Sequence, residues 1–538
     1  MPVDSKSDSL HRELLRGLMQ PECYPHPIDK VEHLQTHISD VLLTGSYAYK
    51  LKKPLDLGFL DFSTLEKRRF YCEEELRLNR RLAPDLYLAV LPITGEVAHP
   101  RIGGEGPALE YALQMRQFDQ SGLLDRALTS GGLVDRHFDE LAENVARFHA
   151  QLPGVSERSE YGTAAAIMAP ALQNFDQLRP LLDGQRDRER LDRVQRWTEA
   201  QHGSLATQFE LRRREGFVRE CHGDLHLANM VLIDDRVRIF DCIEFNPALR
   251  WIDVMNEVAF VAMDLIQRRH GHFAWRFLDR YLEITGDYGG VPLLRYYMVY
   301  RAVVRAKVAA LRAQQADVSS SMRQALSVRT RAHIELAAEL SSAPPPVLII
   351  MHGLSGSGKT KLSQLLLEAL GAIRIRSDVE RKRLHNLPAA ARTSSAIDAG
   401  MYAAAANTAT YERLRELARS VLIGGFTAIV DATFLSKAQR ERVRSLAVEL
   451  RTPFAIAHAE AGETTLRQRI ARRAAVELDA SEATVDVLNH QLKTQEPIDG
   501  DEQGLLFVFD TEHDDDHAQS TKAAQMLQRL RAVDSSKM

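Results

Sequence analysis

The sequence predicts a multidomain protein of mixed α/β and α+β class. A two-lobed region, strands first and helices after, precedes a domain built on a parallel sheet. Three observations predict it. The chain has 538 residues, too many for one hydrophobic core, so two or three domains are expected. The run Ser341-Ser342-Ala343-Pro344-Pro345-Pro346 ends a helical pattern, because consecutive prolines cannot continue a helix and favour an extended spacer. Helices dominate from about Asp135, whereas beyond the prolines strand and helix patterns alternate, the order of a parallel sheet covered on both faces. The expected divisions are 1–134 for the strand-rich lobe, 135–340 for the helical lobe, 341–346 for the linker and 347–538 for the last domain.

Each element has a local reason. Residues 41–44 and 47–51 read as short strands about a Gly45-Ser46 turn. Residues 64–82 read as a charged helix capped by Ser63 or Thr64. Further strands are expected at 86–93 and 111–118. Residues 230–233 and 237–240 flank Asp234-Asp235 as a hairpin. Beyond the linker, 347–351, 373–376, 428–430, 454–458 and 506–509 are strand candidates separated by helical stretches.

Composition narrows the class. Charged residues make up 26%, and 69 basic against 73 acidic side chains give −4. That balance supplies no whole-chain reason to expect a nucleic acid or an anionic membrane as partner. The first fifteen residues are polar, and no apolar run is long enough to span a bilayer. The cysteines, Cys23, Cys72, Cys221 and Cys242, show no C-x-x-C spacing. A reduced cytoplasmic chain with free thiols is expected. Cys221, His222 and Cys242 lack four-ligand zinc spacing.

The first motif is His222-Gly223-Asp224-Leu225-His226-Leu227-Ala228-Asn229, with Ile239-Phe240-Asp241 after it. An aspartate five residues before an asparagine, on a loop leaving a strand, brings both side chains to one cleft. Asp224 would orient a substrate hydroxyl, and Asn229 and Asp241 would hold magnesium against the phosphates of ATP. The stretch resembles the aminoglycoside phosphotransferase and choline kinase families, over about residues 30–335, which implies a protein-kinase-like fold. The segments 240–245 and 250–254 look like the stretch after the magnesium aspartate in those families, where Asp253 is more often structural, holding the catalytic loop. The nucleotide lysine is expected on a strand near a glutamate-bearing helix. Ala48-Tyr49-Lys50 fits, Lys52 shares its face as a rival, and Glu73, Glu74 and Glu75 offer the partner, Glu75 being preferred. Met115 to Phe118 would face the adenine. No G-x-G-x-x-G precedes Lys50; only Gly45-Ser46 occupies that loop. Arg301 and Arg305 share a helical face, either solvated or binding an anionic substrate.

The second motif is Gly353-Leu354-Ser355-Gly356-Ser357-Gly358-Lys359-Thr360, after an apolar strand and before a helix. That context defines a P-loop, whose backbone N–H groups converge on phosphate oxygens at a helix N-terminus. Lys359 would reach the β- and γ-phosphates and Thr360 would ligate magnesium. The segment from 347 to about 530 resembles the small-molecule and polynucleotide kinase branch of P-loop proteins, with zeta-toxin-like and chloramphenicol phosphotransferase-like enzymes. The resemblance makes Asp378 the base for the attacking hydroxyl, with a helix N-cap as the alternative. It places Asp431 near the magnesium shell and makes Arg469, Arg472 and Arg473 an arginine lid, with a solvated helix face as the alternative.

The order of the two domains resembles bacterial proteins described as bifunctional aminoglycoside phosphotransferase/ATP-binding proteins. The expectation is an ATP- and magnesium-dependent phosphotransferase with two nucleotide sites. It would phosphorylate a small hydroxyl compound at the first and a second acceptor at the P-loop domain. The alternative is a 5′-hydroxyl polynucleotide kinase at the P-loop domain, with the first domain a nucleotide-sensing module. Nucleic acid is a partner only in that second reading, and no membrane partner is expected.

Overall fold

The computed structural model describes residues 5–56, 58, 60–315, 318–388, 404–476 and 484–535. Two compact units emerge. One comprises Met1–Glu140, Arg147–Ala166 and Phe209–Val261; the other comprises Leu141–Ala146, Ile167–Gln208 and Ala262–Met538.

The first unit opens with helix α1 (Ser5–Leu18) and a six-stranded antiparallel sheet in the order β1-β2-β3-β6-β4-β5. Its strands are β1 (Glu32–Gln35), β2 (Ser39–Leu43), β3 (Tyr47–Lys52), β4 (Tyr87–Glu96), β5 (His99–Ile102) and β6 (Glu110–Arg116). The sequence pattern does not announce β1, because all four of its residues are exposed and no apolar alternation marks it. Helix α2 (Leu65–Asn79) crosses between β3 and β4. Thr64 caps it, accepting from Lys67 N at 3.3 Å. Its buried residues, Arg68, Cys72, Glu75, Leu78 and Asn79, recur at helical spacing, so Glu75 shares the inward face.

Helices α3 (Leu124–Thr129), α4 (Asp135–Gln151), α5 (Ala164–Leu178), α6 (Gln185–Arg214) and α7 (Val254–Gln267) come next, and the last four contribute residues to both units. Strand β7 (Val218–Glu220) pairs with β10 (Trp251–Asp253). Between them in sequence lies the hairpin β8 (Met230–Ile233) and β9 (Arg236–Ile239). Asp234 and Asp235 form its turn at φ +48° and +61°, the left-handed pair that a two-residue hairpin requires. Asp253 takes the Arg212 guanidinium on both oxygens, at 2.7 and 2.8 Å, and the Met255 N–H at 2.8 Å. It is structural, and it grips the end of α6 rather than the 222–229 loop.

In the second unit, α8 (Gly271–Thr285), α9 (Val291–Ala313) and α10 (Ser320–Ser341) precede the prolines. The strands after them are β11 (Leu348–His352), β12 (Ile373–Arg376), β13 (Ala428–Asp431), β14 (Phe454–Glu460) and β15 (Leu506–Asp510). They form one parallel sheet in the order β12-β13-β11-β14-β15. The helices are α11 (Lys359–Leu370), α12 (Ser377–Leu384), α13 (Ala404–Ile423), α14 (Lys437–Glu449), α15 (Glu463–Val476), α16 (Val485–Thr494) and α17 (Asp516–Ser535). Central β11 is buried along its whole length, as expected for a strand covered on both faces. The core of Val347, Ile349, Met351, Leu366 and Met526 also receives Trp275 from α8. Trp275 meets Phe426 edge-on at 6.0 Å. Among the described residues no helix is long and apolar enough to cross a membrane.

Candidate functional site

The first unit gathers five charged side chains around the ends of β3, α2 and the hairpin. Lys50 Nζ donates to Glu75 Oε1 at 2.7 Å and to Asp241 Oδ1 at 2.6 Å. Lys52 Nζ donates to Glu75 Oε2 at 2.7 Å and to Glu244 Oε1. Both candidate lysines therefore share one glutamate. Glu73 and Glu74 point elsewhere: Glu73 pairs with Arg69, and Glu74 with Arg77 and Arg250. Burial alone would raise Glu75, but the two ammonium groups outweigh it and hold its carboxyl at about 2. Burial raises Glu244, partly opposed by Lys52. Asp241 is 42% exposed and sits at φ +64°, a strained backbone that turns its side chain into the cleft. Its N–H donates to Tyr87 Oη at 3.0 Å.

The 222–229 loop is braced from behind. Gly223 has φ +90°, and a Cβ there would lie 2.8 Å from the Leu249 carbonyl, so only glycine fits. Its N–H donates to Glu257 Oε1 at 2.7 Å, while Glu257 Oε2 meets His149 Nε2 at 2.9 Å. Despite burial, the His149 contact and the Gly223 N–H keep Glu257 below the usual carboxylate range. His149, Cys221 and Glu257 lie close enough to hold a metal, yet these hydrogen bonds already occupy both carboxylate oxygens. His222 donates through Nε2 to the Phe240 carbonyl at 2.8 Å and accepts from Asp224 N at 3.2 Å. Burial lowers its pKa, partly opposed by Glu257. Asn229 Nδ2 donates to the Asp224 carbonyl at 2.9 Å and to Asp224 Oδ2 at 3.0 Å. His226 Nε2 lies 3.2 Å from the same carboxylate. Asn229 thus spends its amide nitrogen on Asp224, and its oxygen is the atom it has for a cation. Met115 lies on β6, and Phe118 packs against Phe240 with ring centroids 5.2 Å apart. The Gly45 N–H is taken by Gln117 Oε1 at 2.9 Å. Arg301 is buried rather than part of a solvated basic face.

In the second unit, β11 runs into the glycine loop and α11 begins at Lys359. Gly353, Gly356 and Gly358 have φ +140°, +84° and +87°, turning successive N–H groups inward. Lys359 Nζ reaches back to the Leu354 carbonyl at 2.7 Å. Gln491 Oε1 accepts from Ser355 N at 2.8 Å. Arg469 ties the loop to the end of β15, donating to the Thr511 carbonyl at 2.7 Å and its Oγ1 at 3.1 Å, while Thr511 Oγ1 donates to the Ser357 carbonyl at 2.6 Å. Arg472 is exposed on α15, and the Arg473 side chain lies outside the described residues. Asp431 ends β13, buried, and Ser363 Oγ lies 2.9 Å from its Oδ2. Asp378 is the second residue of α12; the cap position belongs to Arg376, so the N-cap reading of Asp378 does not hold.

Residues 348–498 match the AAA domain family. The match spans the loop, β12, β13, β14 and the helix carrying Arg469. An uncharacterized protein of Mycobacterium tuberculosis (strain ATCC 25618 / H37Rv), Rv2004c, is 29% identical over 462 residues, covering 85% of this chain and 90% of its own. A gluconokinase from Sinorhizobium meliloti 1021 is 20% identical, with TM-score 0.26, and covers 35% of this chain and 96% of its own. A Plasmodium vivax ethanolamine kinase is 9% identical, with TM-score 0.35, and covers 56% of this chain and 81% of its own. The family match lies within the parallel-sheet domain that carries the glycine loop.

Sequence reasoning missed several residues that the structure draws in. Glu244 lies three positions after Asp241, inside the segment 240–245, and completes the Lys52 pair. Thr511 and Gln491 belong to no motif, and only folding brings them to the P-loop. Arg374 lies in the expected strand 373–376, but nothing along the chain marks it as the partner of Asp279 and Glu283 of α8.

Proposed function

We propose that the chain is an ATP- and magnesium-dependent phosphotransferase with two nucleotide sites. The first phosphorylates a small hydroxyl compound and the second a separate acceptor. The observation that carries the reading is the convergence of Lys50, Glu75 and Asp241 on one cleft, in the same unit as the hydrogen-bonded Asp224 and Asn229. Lys50, held by Glu75, is placed to hold nucleotide phosphates. Asp224 orients the acceptor hydroxyl and takes its proton. The donor set fits magnesium: the carboxylate of Asp241 and the amide oxygen of Asn229 at the first site, and the Thr360 hydroxyl and Asp431 carboxylate at the second. When bound, the ion neutralises charge on the phosphoryl oxygens. At the second site Lys359 screens the phosphates, Asp378 serves the acceptor, and Arg469 is fixed on the loop by Thr511.

One observation favours a second reading, in which the first unit senses nucleotide and the second phosphorylates a 5′-hydroxyl nucleic acid. The lone glycine of the β2–β3 turn has its N–H committed to Gln117, leaving that turn short of phosphate donors. Radiolabelled ATP, presented to the full chain with sugars, amino alcohols, nucleosides and 5′-hydroxyl oligonucleotides, separates the two. Small-molecule transfer that Asp224→Asn abolishes and Lys359→Ala spares supports the first reading. Oligonucleotide transfer alone, abolished by Lys359→Ala and Asp378→Asn, replaces it with the second.

A further inference from the structure

Arg374 is a heavily bonded side chain near the P-loop, and its anionic partners come from outside the family match. Its side chain is 4% exposed. From β12 it donates through Nη2 to Asp279 Oδ2 at 2.7 Å and through Nε to Asp279 Oδ1 at 3.3 Å. The same Nη2 approaches Glu283 Oε1 at 3.4 Å and Gln364 Oε1 at 2.8 Å. Asp279 and Glu283 are four residues apart on α8, so they present one acidic face. On its other side, Arg374 Nη1 donates to Ser363 Oγ at 3.1 Å and to the Thr360 carbonyl at 3.3 Å. The Ser363 hydroxyl therefore accepts from Arg374, and its single proton is left for Asp431 Oδ2 at 2.9 Å or the Thr360 carbonyl at 3.0 Å. A continuous buried chain thus runs from α8 through Arg374 and Ser363 to Asp431. The surrounding contacts make α8 a layer of this domain. Tyr288 Oη donates to the Arg374 carbonyl at 3.1 Å, Arg376 pairs with Glu283 at 3.3 Å, and a Cβ on Gly371 would lie 3.0 Å from the Trp275 ring.

A buried guanidinium must be neutralised by something. Asp279 and Glu283 do this from one side, and the nearest further carboxylate along the chain is Asp431. We propose that Asp279 and Glu283 are positioning residues of the P-loop site: they neutralise Arg374, so that it orients Ser363 without drawing Asp431 away from the magnesium nucleotide. The inference rests on the reading of the second site as a magnesium-nucleotide site.

The test uses the full chain and a fluorescent ATP analogue, with magnesium chloride titrated at fixed analogue. The signal lost in Lys359→Ala defines the second site. Asp279→Asn keeps the shape and removes the charge. It is expected to raise the magnesium concentration at half-saturation roughly fivefold or more, within the range for residues sharing one network. Adding Arg374→Gln to Asp279→Asn removes the uncompensated cation and is expected to restore most of the wild-type magnesium dependence, which a merely structural defect would not allow. Melting curves establish that each variant is folded. If Asp279→Asn does not fold, Glu283→Gln, which weakens the 3.3 and 3.4 Å contacts to Arg376 and Arg374 and the 3.7 Å pair with Arg280, is expected to shift the titration in the same direction by less. A folded Asp279→Asn or Glu283→Gln chain with the wild-type titration overturns the inference, as does a double variant no better than the single. Absence of any Lys359-dependent signal in the wild-type chain overturns the nucleotide reading itself.

Discussion

At the residue scale, the proposed reading gives two carboxylates separable work: Asp224 would serve the acceptor, and Asp241, bonded to Lys50, would hold the phosphate end. Asp224→Asn should lower phosphoryl transfer by roughly two orders of magnitude or more while leaving ATP binding nearly intact. Asp241→Asn should weaken magnesium-dependent ATP binding as well. Isothermal titration beside transfer rates, with Lys359→Ala silencing the second site, checks both; full transfer in Asp224→Asn would remove it from the mechanism. Glu75 supplies a pH signature. Its carboxyl falls from the usual 4.5 to about 2 in the folded chain. A depressed carboxylate stabilises the fold above its unfolded value and loses that contribution as pH falls through the folded one. Its share of stability is therefore complete above about pH 4.5 and drains away toward pH 2. Glu75→Gln should melt lower than wild type at pH 7, and the gap should close as pH falls over that window. A gap independent of pH would contradict the ion pairs of Glu75 with Lys50 and Lys52.

Elements carry the residues only because a few backbone positions permit close approach. Gly356 is the sharpest case. It sits at φ +84°, and a Cβ there would lie 2.7 Å from the Leu466 carbonyl of α15. Gly356→Ala should push α15, and with it Arg469, off the loop. The expected cost is about 1–3 kcal/mol from backbone strain and overpacking, with weaker ATP binding at the second site. Denaturant melts and a nucleotide titration measure the two effects; an alanine variant with wild-type stability and affinity would mean that the loop and α15 are not in contact in solution.

For the whole molecule, the proline run raises a concrete question. Its composition suggests a spacer, and a fragment beginning at Val347 keeps the complete glycine loop. The same fragment lacks α8, and so leaves Arg374 and Arg376 without Asp279 and Glu283 and the core without Trp275. Removing the partner of a buried charge costs about 3–5 kcal/mol. At roughly 2–4 °C per kcal/mol for a domain of this size, a fragment of residues 347–538 should melt roughly 6–20 °C below one of residues 262–538. Scanning calorimetry of the two fragments decides it. Equal melting temperatures would show that α8 contributes nothing to the stability of the parallel-sheet domain.

The sequence alone determined what local chemistry encodes. Glycine spacing defines the P-loop, because only glycine supports the positive φ values seen at Gly353, Gly356 and Gly358. Apolar patterning located the five parallel strands; β11, for example, is buried throughout and reads as a continuous hydrophobic segment. The Asp-Asp turn between two apolar-rich runs located the hairpin. The sequence preferred Glu75 over Glu73 and Glu74 but could not decide the matter, because the choice depends on which face of α2 meets β3. Nor could it find β1, whose exposed residues carry no pattern. The partners of Arg374 were illegible for the same reason: Asp279 lies 95 residues away, on a helix whose acidic pair looks like any solvated surface until packing buries it against β12. Only tertiary structure decided those pairings, because a charge is placed by what surrounds it after folding and not by its neighbours along the chain.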